Sequence, residues 1–303
     1  MLLGLPDFDM VSAESVAEAC ALLARHDGKA RLFAGGTDLL IMMKHRKATP
    51  RQLINIKRIA GLDHISYDAE GGLRIGALAT VESIKDHRVI GEKYPVLSQA
   101  AGLLVTTHVR NLGTLGGNLA NASPAAEFAP PLLVLDATVQ CAGSTGERTV
   151  PMSEFFLAPG KSALRPDEMI TEIRVPVPRP GAEAIYLKHS LRRMDVATAS
   201  AAALVQFDGD ACREARVALG AVAPTPFRAD RAEDRMRGAK FTGEEADGAL
   251  LDEVARLAGE QTKPIDDFRG EASYRRRIIV MLLRQGLERV VGRAISGAGN
   301  RRR

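Results

Sequence analysis

RLFAGGTDLL, residues 31–40, is the stretch from which the fold can be read. RLFA has the pattern of a short buried strand. Gly35 and Gly36 break it, and Thr37 or Asp38 can cap a helix that begins LLIMMKHRK. Glycine has no Cβ, so backbone N–H groups at such a turn can close on an oxygen-rich ligand. The helix N-terminus behind it adds partial positive charge, and strand, glycine pair and helix together suit an anion. A second run, NLGTLGGN at 111–118, repeats the device with Gly113, Thr114, Gly116 and Gly117. Two such runs suit a phosphate-bearing cofactor anchored in more than one place. A glycine pair before a helix also serves as a plain tight turn. Neither run contains GxGxxG, and no GxxxxGK(S/T) occurs anywhere.

Outward from these loops, the composition is that of an ordinary globular protein: 303 residues, 46% hydrophobic and 26% charged. That length exceeds the usual single compact domain, so two or three lobes are expected, burying roughly 75% of the unfolded chain's surface. No apolar run reaches the roughly 18 residues that a membrane span needs. The start, MLLGLPDFDMVSAESVAEACALL, has no basic n-region, and Pro6, Asp7 and Asp9 interrupt its apolar stretch, so a signal peptide is not expected and the location reads as cytoplasmic. Cys20, Cys141 and Cys212 are scattered and odd in number, which argues against a disulfide framework and against a metal site held by this chain. The six histidines form no HxxxH or HExxH pair. Three of the net +4 charges sit in Arg301, Arg302 and Arg303, at the end of a stretch, SGAGNRRR, that reads as a flexible tail. Arg275, Arg276 and Arg277 open the last expected helix and read as solvated charges or as contacts to an acidic partner. With aromatics at 4%, no nucleic-acid groove is expected.

Periodicity and turn residues divide the chain into residues 1–57, 58–177 and 178–293, with a flexible basic tail over 294–303. The first part reads as helix 15–26, strand 31–34, helix 38–47 and strand 52–56. The second reads as strand GLRIGAL at 72–78, helices over 81–104 interrupted at Pro95, then strand LLVLDATVQCAG at 132–143. ERTVPMSEFF at 147–156 reads as a strand leading to a turn, and MITEIRVPVP at 169–178 as a strand stopped by prolines. PVPRPGAEA marks the next boundary. The third part reads as strands YLKHSL, ATASAAALVQF and EARVALGAV followed by helices 244–261 and 274–293, an α+β order.

AGGTDLL at 34–40 and TLGGNLANASPAAEFAP at 114–130 resemble the FAD-binding medium subunit of the molybdenum hydroxylases, the family of aerobic carbon monoxide dehydrogenase, bacterial xanthine dehydrogenase and 4-hydroxybenzoyl-CoA reductase. RIGALAT at 74–80, IRVPVP at 173–178, RRMDVATASAA at 192–202 and SYRRRIIVMLL at 273–283 extend the resemblance over nearly the whole chain. It implies an α+β fold: a two-lobed FAD-binding domain of the PCMH/vanillyl-alcohol-oxidase type, followed by a C-terminal α+β domain of antiparallel strands plus helices. The cysteine-rich insertion of the 4-hydroxybenzoyl-CoA reductase branch is missing, since Asn118 leads directly into ANASPAAEFAP.

The resemblance further implies FAD stretched between the first two lobes. Its pyrophosphate would lie on Leu32, Phe33, Ala34, Gly35, Gly36, Thr37, Asp38 and Leu39. Its middle and ring would be supported by Asn111, Gly113, Thr114, Leu115, Gly116 and Gly117. Thr114 offers a hydroxyl to a phosphate or ribityl oxygen, and Asn118 can orient the turn through its amide. Ser123 and Glu127 match the family's SPxSD, with Glu127 one methylene longer than the usual Asp as an acceptor for the cofactor. Leu104 and Ile170 match positions that pack on the cofactor; as residues they are also ordinary core positions. Lys188 resembles a lysine placed near the flavin ring, where a cation would stabilise anionic reduced flavin; a plain surface lysine on a strand reads equally well. Arg193 and Asp195 can form a structural ion pair. No general acid, base, nucleophile or metal ligand is evident. As partners the resemblance implies a molybdopterin-containing large subunit and a small subunit with 2Fe–2S clusters, in a dimer of heterotrimers. This chain would pass electrons from the iron–sulfur subunit to NAD+, a quinone or another acceptor. A self-contained flavin oxidoreductase resembling UDP-N-acetylmuramate dehydrogenase is the alternative, and would need a proton donor at the ring and its own substrate pocket.

Overall fold

The computed structural model of the chain describes residues 4–300, apart from residues 27, 193, 243 and 244. It is built on three larger sheets. The N-terminal one joins β1 (Asp9–Ser12), α1 (Val16–Arg25), β2 (Ala30–Phe33), α2 (Leu39–Lys44) and β3 (Gln52–Asn55). Its strands are parallel in the order β1-β3-β2, which places the chain's first glycine loop at the carboxyl end of β2. Ser15 caps α1 by accepting from Glu18 N–H, and Ala19, Cys20 and Leu23 turn inward as its 3.6-residue period requires. The sequence gives no sign of β1: DMVS carries only two apolar residues, and its place is set by pairing with β3 rather than by its own pattern.

The central sheet follows. β4 (Ile65–Asp68) and β5 (Gly72–Gly76) form a hairpin, and six helical segments then cover one side: α3 (Val81–Asp86), α4 (Arg88–Lys93), α5 (Pro95–Leu103), α6 (Thr107–Leu112), α7 (Leu115–Ala120) and α8 (Ala129–Val134). β6 (Thr138–Gly143), β7 (Gly146–Pro151), the single turn α9 (Met152–Phe155), a two-strand ribbon of β8 (Phe156–Ala158) and β9 (Lys161–Ser162), and β10 (Met169–Val175) complete it. The sheet is antiparallel in the order β4-β5-β10-β6-β7. The strand expected over 132–143 forms only from Thr138; its first three residues belong to α8. Pro130 and Pro131 sit in the first turn of α8, where proline is preset for a helix, and Asp136, at φ +50°, ends the segment before β6 starts. A short apolar run such as LLVL cannot separate the two states by periodicity.

The C-terminal sheet holds β11 (Glu183–His189), β12 (Ala199–Asp208), β13 (Ala211–Gly220) and β14 (Phe227–Arg228), antiparallel in sequence order. It is followed by α10 (Asp230–Met236), α11 (Glu245–Glu260) and α12 (Ala272–Asn300). α10 is a further element that the sequence reading does not contain. α12 runs on through residues 294–300, which the sequence suggested as tail, while Arg301, Arg302 and Arg303 lie outside the described residues. Arg275 is not a solvated charge. It is 4% exposed and donates to the carbonyls of Thr198 at 3.2 Å and Ala221 at 3.1 Å and to the Asp267 carboxylate, so it locks the start of α12 onto the sheet. Among the described residues no helix is long and apolar enough to cross a membrane.

The C-terminal sheet is buried on both faces. Ile185, Ala201, Ala203 and Val205 pack into a core with α10, α11 and α12, whereas Tyr186, Ala202 and Leu204 join the core of the central sheet and its helices. Alternation along a strand divides the two sets. Alanines on both faces let helices approach closely from either side. β11 thereby carries its even-numbered residues towards the central unit.

Candidate functional site

A cavity of about 1000 Å³ opens between the N-terminal and central units, the upper end of the size usual for ligand sites. One wall is the carboxyl end of β2 and the turn that follows, the position at which parallel α/β sheets receive ligands. The opposite wall is built from Ala77 and Leu78 after β5, from the loops on either side of α7, and from residues 160–170 leading into β10.

The two glycine runs touch. A Cβ on Gly35 would lie 1.9 Å from the Leu112 carbonyl oxygen, and a Cβ on Gly113 would lie 3.5 Å from Thr37 Oγ1. Gly36 takes φ +71°, a left-handed turn that glycine accepts without strain. From Gly35 through Leu39 the backbone N–H groups have no protein acceptor among the described residues, and all five residues line the cavity. Asp38 occupies the N-cap position of α2 but its side chain caps nothing, so neither of the expected capping bonds forms. Its carboxylate is open to the cavity, yet protein surrounds enough of it to push its pKa above the ordinary carboxylate value by desolvation. A row of unpartnered amides along a glycine turn is an arrangement that binds phosphate oxygens.

The second run folds back on the end of β5. Gly116 N–H donates to Ala77 O at 2.9 Å, and a Cβ on Gly116 would lie 2.7 Å from that same oxygen, so only glycine fits. Thr114 Oγ1 accepts from Gly117 N–H at 3.0 Å, capping α7 and leaving its own hydroxyl hydrogen to donate. Asn118 Oδ1 accepts from Phe128 N–H at 3.4 Å, and Ser123 Oγ accepts from Ala125 N–H at 3.2 Å. These bonds shape the turn that carries Glu127.

Of the residues singled out in the sequence, Leu32, Ala34, Gly35, Gly36, Thr37, Asp38, Leu39, Leu104, Gly113, Thr114, Gly116, Gly117, Asn118, Ser123, Glu127 and Ile170 line the cavity together. Four lie outside its wall. Phe33 packs its ring beneath the Lys57 ammonium, 4.7 Å from the centroid. Leu115 is fully buried in the central core. Asn111 is exposed on α6. Lys188 is not a surface lysine: its side chain is 2% exposed, and its ammonium donates to Leu103 O at 2.9 Å and to Glu127 Oε2 at 2.8 Å. Tyr186 donates its hydroxyl to the other Glu127 oxygen. Burial pushes the Glu127 carboxyl up, against the opposing pull of Lys188 and Tyr186, and raises the Tyr186 phenol well above its ordinary value.

Sequence reasoning missed Tyr186, and it missed Val196, 40% exposed and in the cavity wall. Val196 lies inside the RRMDVATASAA stretch, which was the available signal. Arg193, paired with Asp195 in that reading, is outside the described residues. Also unanticipated is a cationic rim of Lys29, Arg31, Lys47, Lys161 and Arg165. Among the described lining residues there is no His, Cys or Tyr, so the wall offers carboxylates and fixed cations but no imidazole, thiol or phenol.

Two family models match the chain. Residues 6–178 match the model of the FAD binding domain in molybdopterin dehydrogenase, and residues 184–290 match the CO dehydrogenase flavoprotein C-terminal domain. The chain is 33% identical to the carbon monoxide dehydrogenase medium chain of Afipia carboxidovorans, over 95% of this chain and 98% of that one. It is 31% identical to the putative xanthine dehydrogenase FAD-binding subunit of Escherichia coli, over 97% and 99% respectively. Among solved structures, carbon monoxide dehydrogenase from Hydrogenophaga pseudoflava, in a form lacking the Mo-pyranopterin moiety of its molybdenum cofactor, superposes with a TM-score of 0.92 at 33% identity. That match covers 96% of this chain and 99% of the other.

Proposed function

The chain belongs to the family of FAD-binding subunits of molybdopterin dehydrogenases, and from that membership we propose that it is the electron-relaying medium subunit of a molybdenum hydroxylase complex. It is an oxidoreductase subunit with FAD as its cofactor. In this reading it receives electrons from an iron–sulfur subunit and delivers them to NAD+, a quinone or another acceptor. Substrate oxidation occurs on a separate molybdopterin-bearing large subunit. Assembly as a dimer of such three-chain units, and a cytoplasmic location where the buried Cys20, Cys141 and Cys212 remain free thiols, belong to the same proposal.

The observation that carries the reading is the row of unpartnered amides from Gly35 to Leu39, closed against the second glycine run over one elongated cavity. FAD supplies a redox centre that exchanges electrons one or two at a time, and the protein supplies binding, orientation and electrostatics. Gly35, Gly36 and Thr37 would hold the pyrophosphate through their N–H groups, with the cationic rim drawing it in. Leu104, Ile170 and Val196 give the apolar wall on which a flavin ring can pack. A self-contained flavin enzyme would need a Ser, Cys or Glu as proton donor at the ring and its own substrate pocket; Ser123 and Glu127 line this cavity, so what favours the subunit reading is the extent of the similarity. The similarity runs end to end with medium chains, which act with other subunits.

The absorption spectrum of the purified chain, with identification of the chromophore released on denaturation, tests the cofactor. One FAD per chain is expected. A folded, colourless chain that cannot be reconstituted with FAD overturns the reading. Purification of the tagged chain from its native cell tests the complex, with two further chains, molybdenum and iron expected in fixed ratio to flavin.

A further inference from the structure

We propose that Tyr186 and Lys188 are positioning residues that hold the Glu127 carboxylate as a fixed acceptor in the cavity wall, so that Glu127 takes a hydrogen bond from an N–H or O–H group of the bound cofactor. The proposal rests on the FAD reading above. It also changes the part expected of Lys188, which acts through a carboxylate and not as a cation set directly at the ring.

The geometry divides the three residues between two units. Glu127 lies on the turn before α8 and lines the cavity. Tyr186 and Lys188 are alternate residues of β11, so they project from the same face of that strand. Tyr186 donates to Glu127 Oε1, and Lys188 donates to Glu127 Oε2 at 2.8 Å and to Leu103 O at 2.9 Å. A carboxylate oxygen has two acceptor sites, so each oxygen keeps one after its clamp is made. Glu127 lines the cavity while neither Tyr186 nor Lys188 does, so Glu127 is the member of the cluster that borders it.

A purely structural role explains the cluster less well. Side chains of Glu127 and Lys188 are 5% and 2% exposed, and burying such a pair carries a desolvation cost that well-packed apolar residues of similar volume would avoid. Much of the surrounding boundary is apolar, with Tyr186, Ala202 and Leu204 joining β11 and β12 to the central core, although Arg216 also crosses it, to Val134 O and Asp136. An ion pair with both carboxylate oxygens clamped gives what an apolar contact cannot, an acceptor of fixed direction. Burial opposes ionisation of Glu127, and Lys188 supplies the opposing charge that keeps it available as an acceptor.

The test is FAD binding by the full-length apo-chain, followed by flavin fluorescence across the neutral pH range. The variants are Glu127→Gln, Tyr186→Phe, Lys188→Met, Lys188→Arg and the Glu127→Gln/Lys188→Met double. Lys188→Met is expected to weaken FAD binding about tenfold or more at neutral pH. Its affinity should recover as pH rises, because the unpaired, buried Glu127 then ionises only at higher pH. Wild type and the double variant should show no such recovery, and the double should bind no more weakly than Glu127→Gln alone. Lys188→Arg should retain binding within a few-fold. Tyr186→Phe, which keeps the ring in place, should weaken it several-fold with no new pH dependence. The proposal is overturned if Glu127→Gln binds FAD like wild type. It is equally overturned if the loss in Lys188→Met is independent of pH and adds to that of Glu127→Gln, since the lysine would then act directly or only structurally. Failure of the wild-type chain itself to bind FAD would count against the cofactor reading, and the clamp would then have no ligand to serve.

Discussion

Gly35 shows how much of the site rests on one missing methyl group. A Cβ there would meet the Leu112 carbonyl at 1.9 Å, and because the obstacle is backbone, one of the two runs has to move. Gly35→Ala is therefore expected to cost about 1–3 kcal/mol of stability, as overpacking does, and to lower FAD affinity at least about tenfold once the amide row is displaced. Gly91 is the matching control. It lies in α4, and a Cβ there would have nothing within 4 Å, so Gly91→Ala should stabilise the chain by about 0.5–1 kcal/mol and leave FAD binding unchanged. Thermal melts and fluorescence titration of both variants check this. These glycines were legible because a glycine pair between a strand and a helix declares a backbone need. Tyr186 and Val196 were not, since an aromatic or β-branched residue on a strand or loop is ordinary by itself and acquires meaning only from what it faces.

Among the elements, the approach to β10 is held by one buried carboxylate. Glu168 accepts from Arg148 Nε and Nη2, each at 2.7 Å, and from Arg165 N–H at 2.7 Å, joining β7 to the residues that lead into β10 along the cavity wall. The Arg148 guanidinium, ahead of the opposing effect of burial, holds the Glu168 carboxyl below its ordinary value of 4.5. Its folded pKa is depressed, so the stabilisation is present above pH 4.5 and is lost as pH falls through the lower, folded value. Glu168→Gln should cost about 2 kcal/mol at neutral pH. The gap in Tm between it and wild type should close on acidification below the ordinary glutamate value, and a constant gap would contradict the assignment. Strand and helix types over most of the chain followed from alternation and turn residues. Where the reading failed, in α8 and β1, the local pattern was ambiguous and tertiary pairing decided.

Across the whole molecule, the C-terminal sheet shares the core of the central unit and is not an appendage. Tyr186, Ala202, Leu204 and Ala218 belong to the central core, and β11 brings Tyr186 and Lys188 to Glu127. A chain ending at Pro178 would leave that core open along α5 and α8, which pack against β11, β12 and β13. It is expected to aggregate or to lose FAD binding, whereas the full chain should unfold in one calorimetric transition. Recovery of a soluble, FAD-loaded fragment of residues 1–178 would show that the sheet is dispensable.

Reading residues alone determined the glycine loops, the strands-then-helices order of the C-terminal third and the flavoprotein resemblance, because each is written in local backbone demands or in contiguous motifs. Tertiary structure alone decided that the two glycine runs meet over one cavity. It also decided that Leu115 and Phe33 turn away from that cavity, and that Lys188 is a buried partner of Glu127. Those outcomes depend on residues far apart in the chain, such as Gly35 with Leu112, or Tyr186 with Glu127 at a separation of 59 positions. No local pattern encodes which distant side chain closes a hydrogen bond.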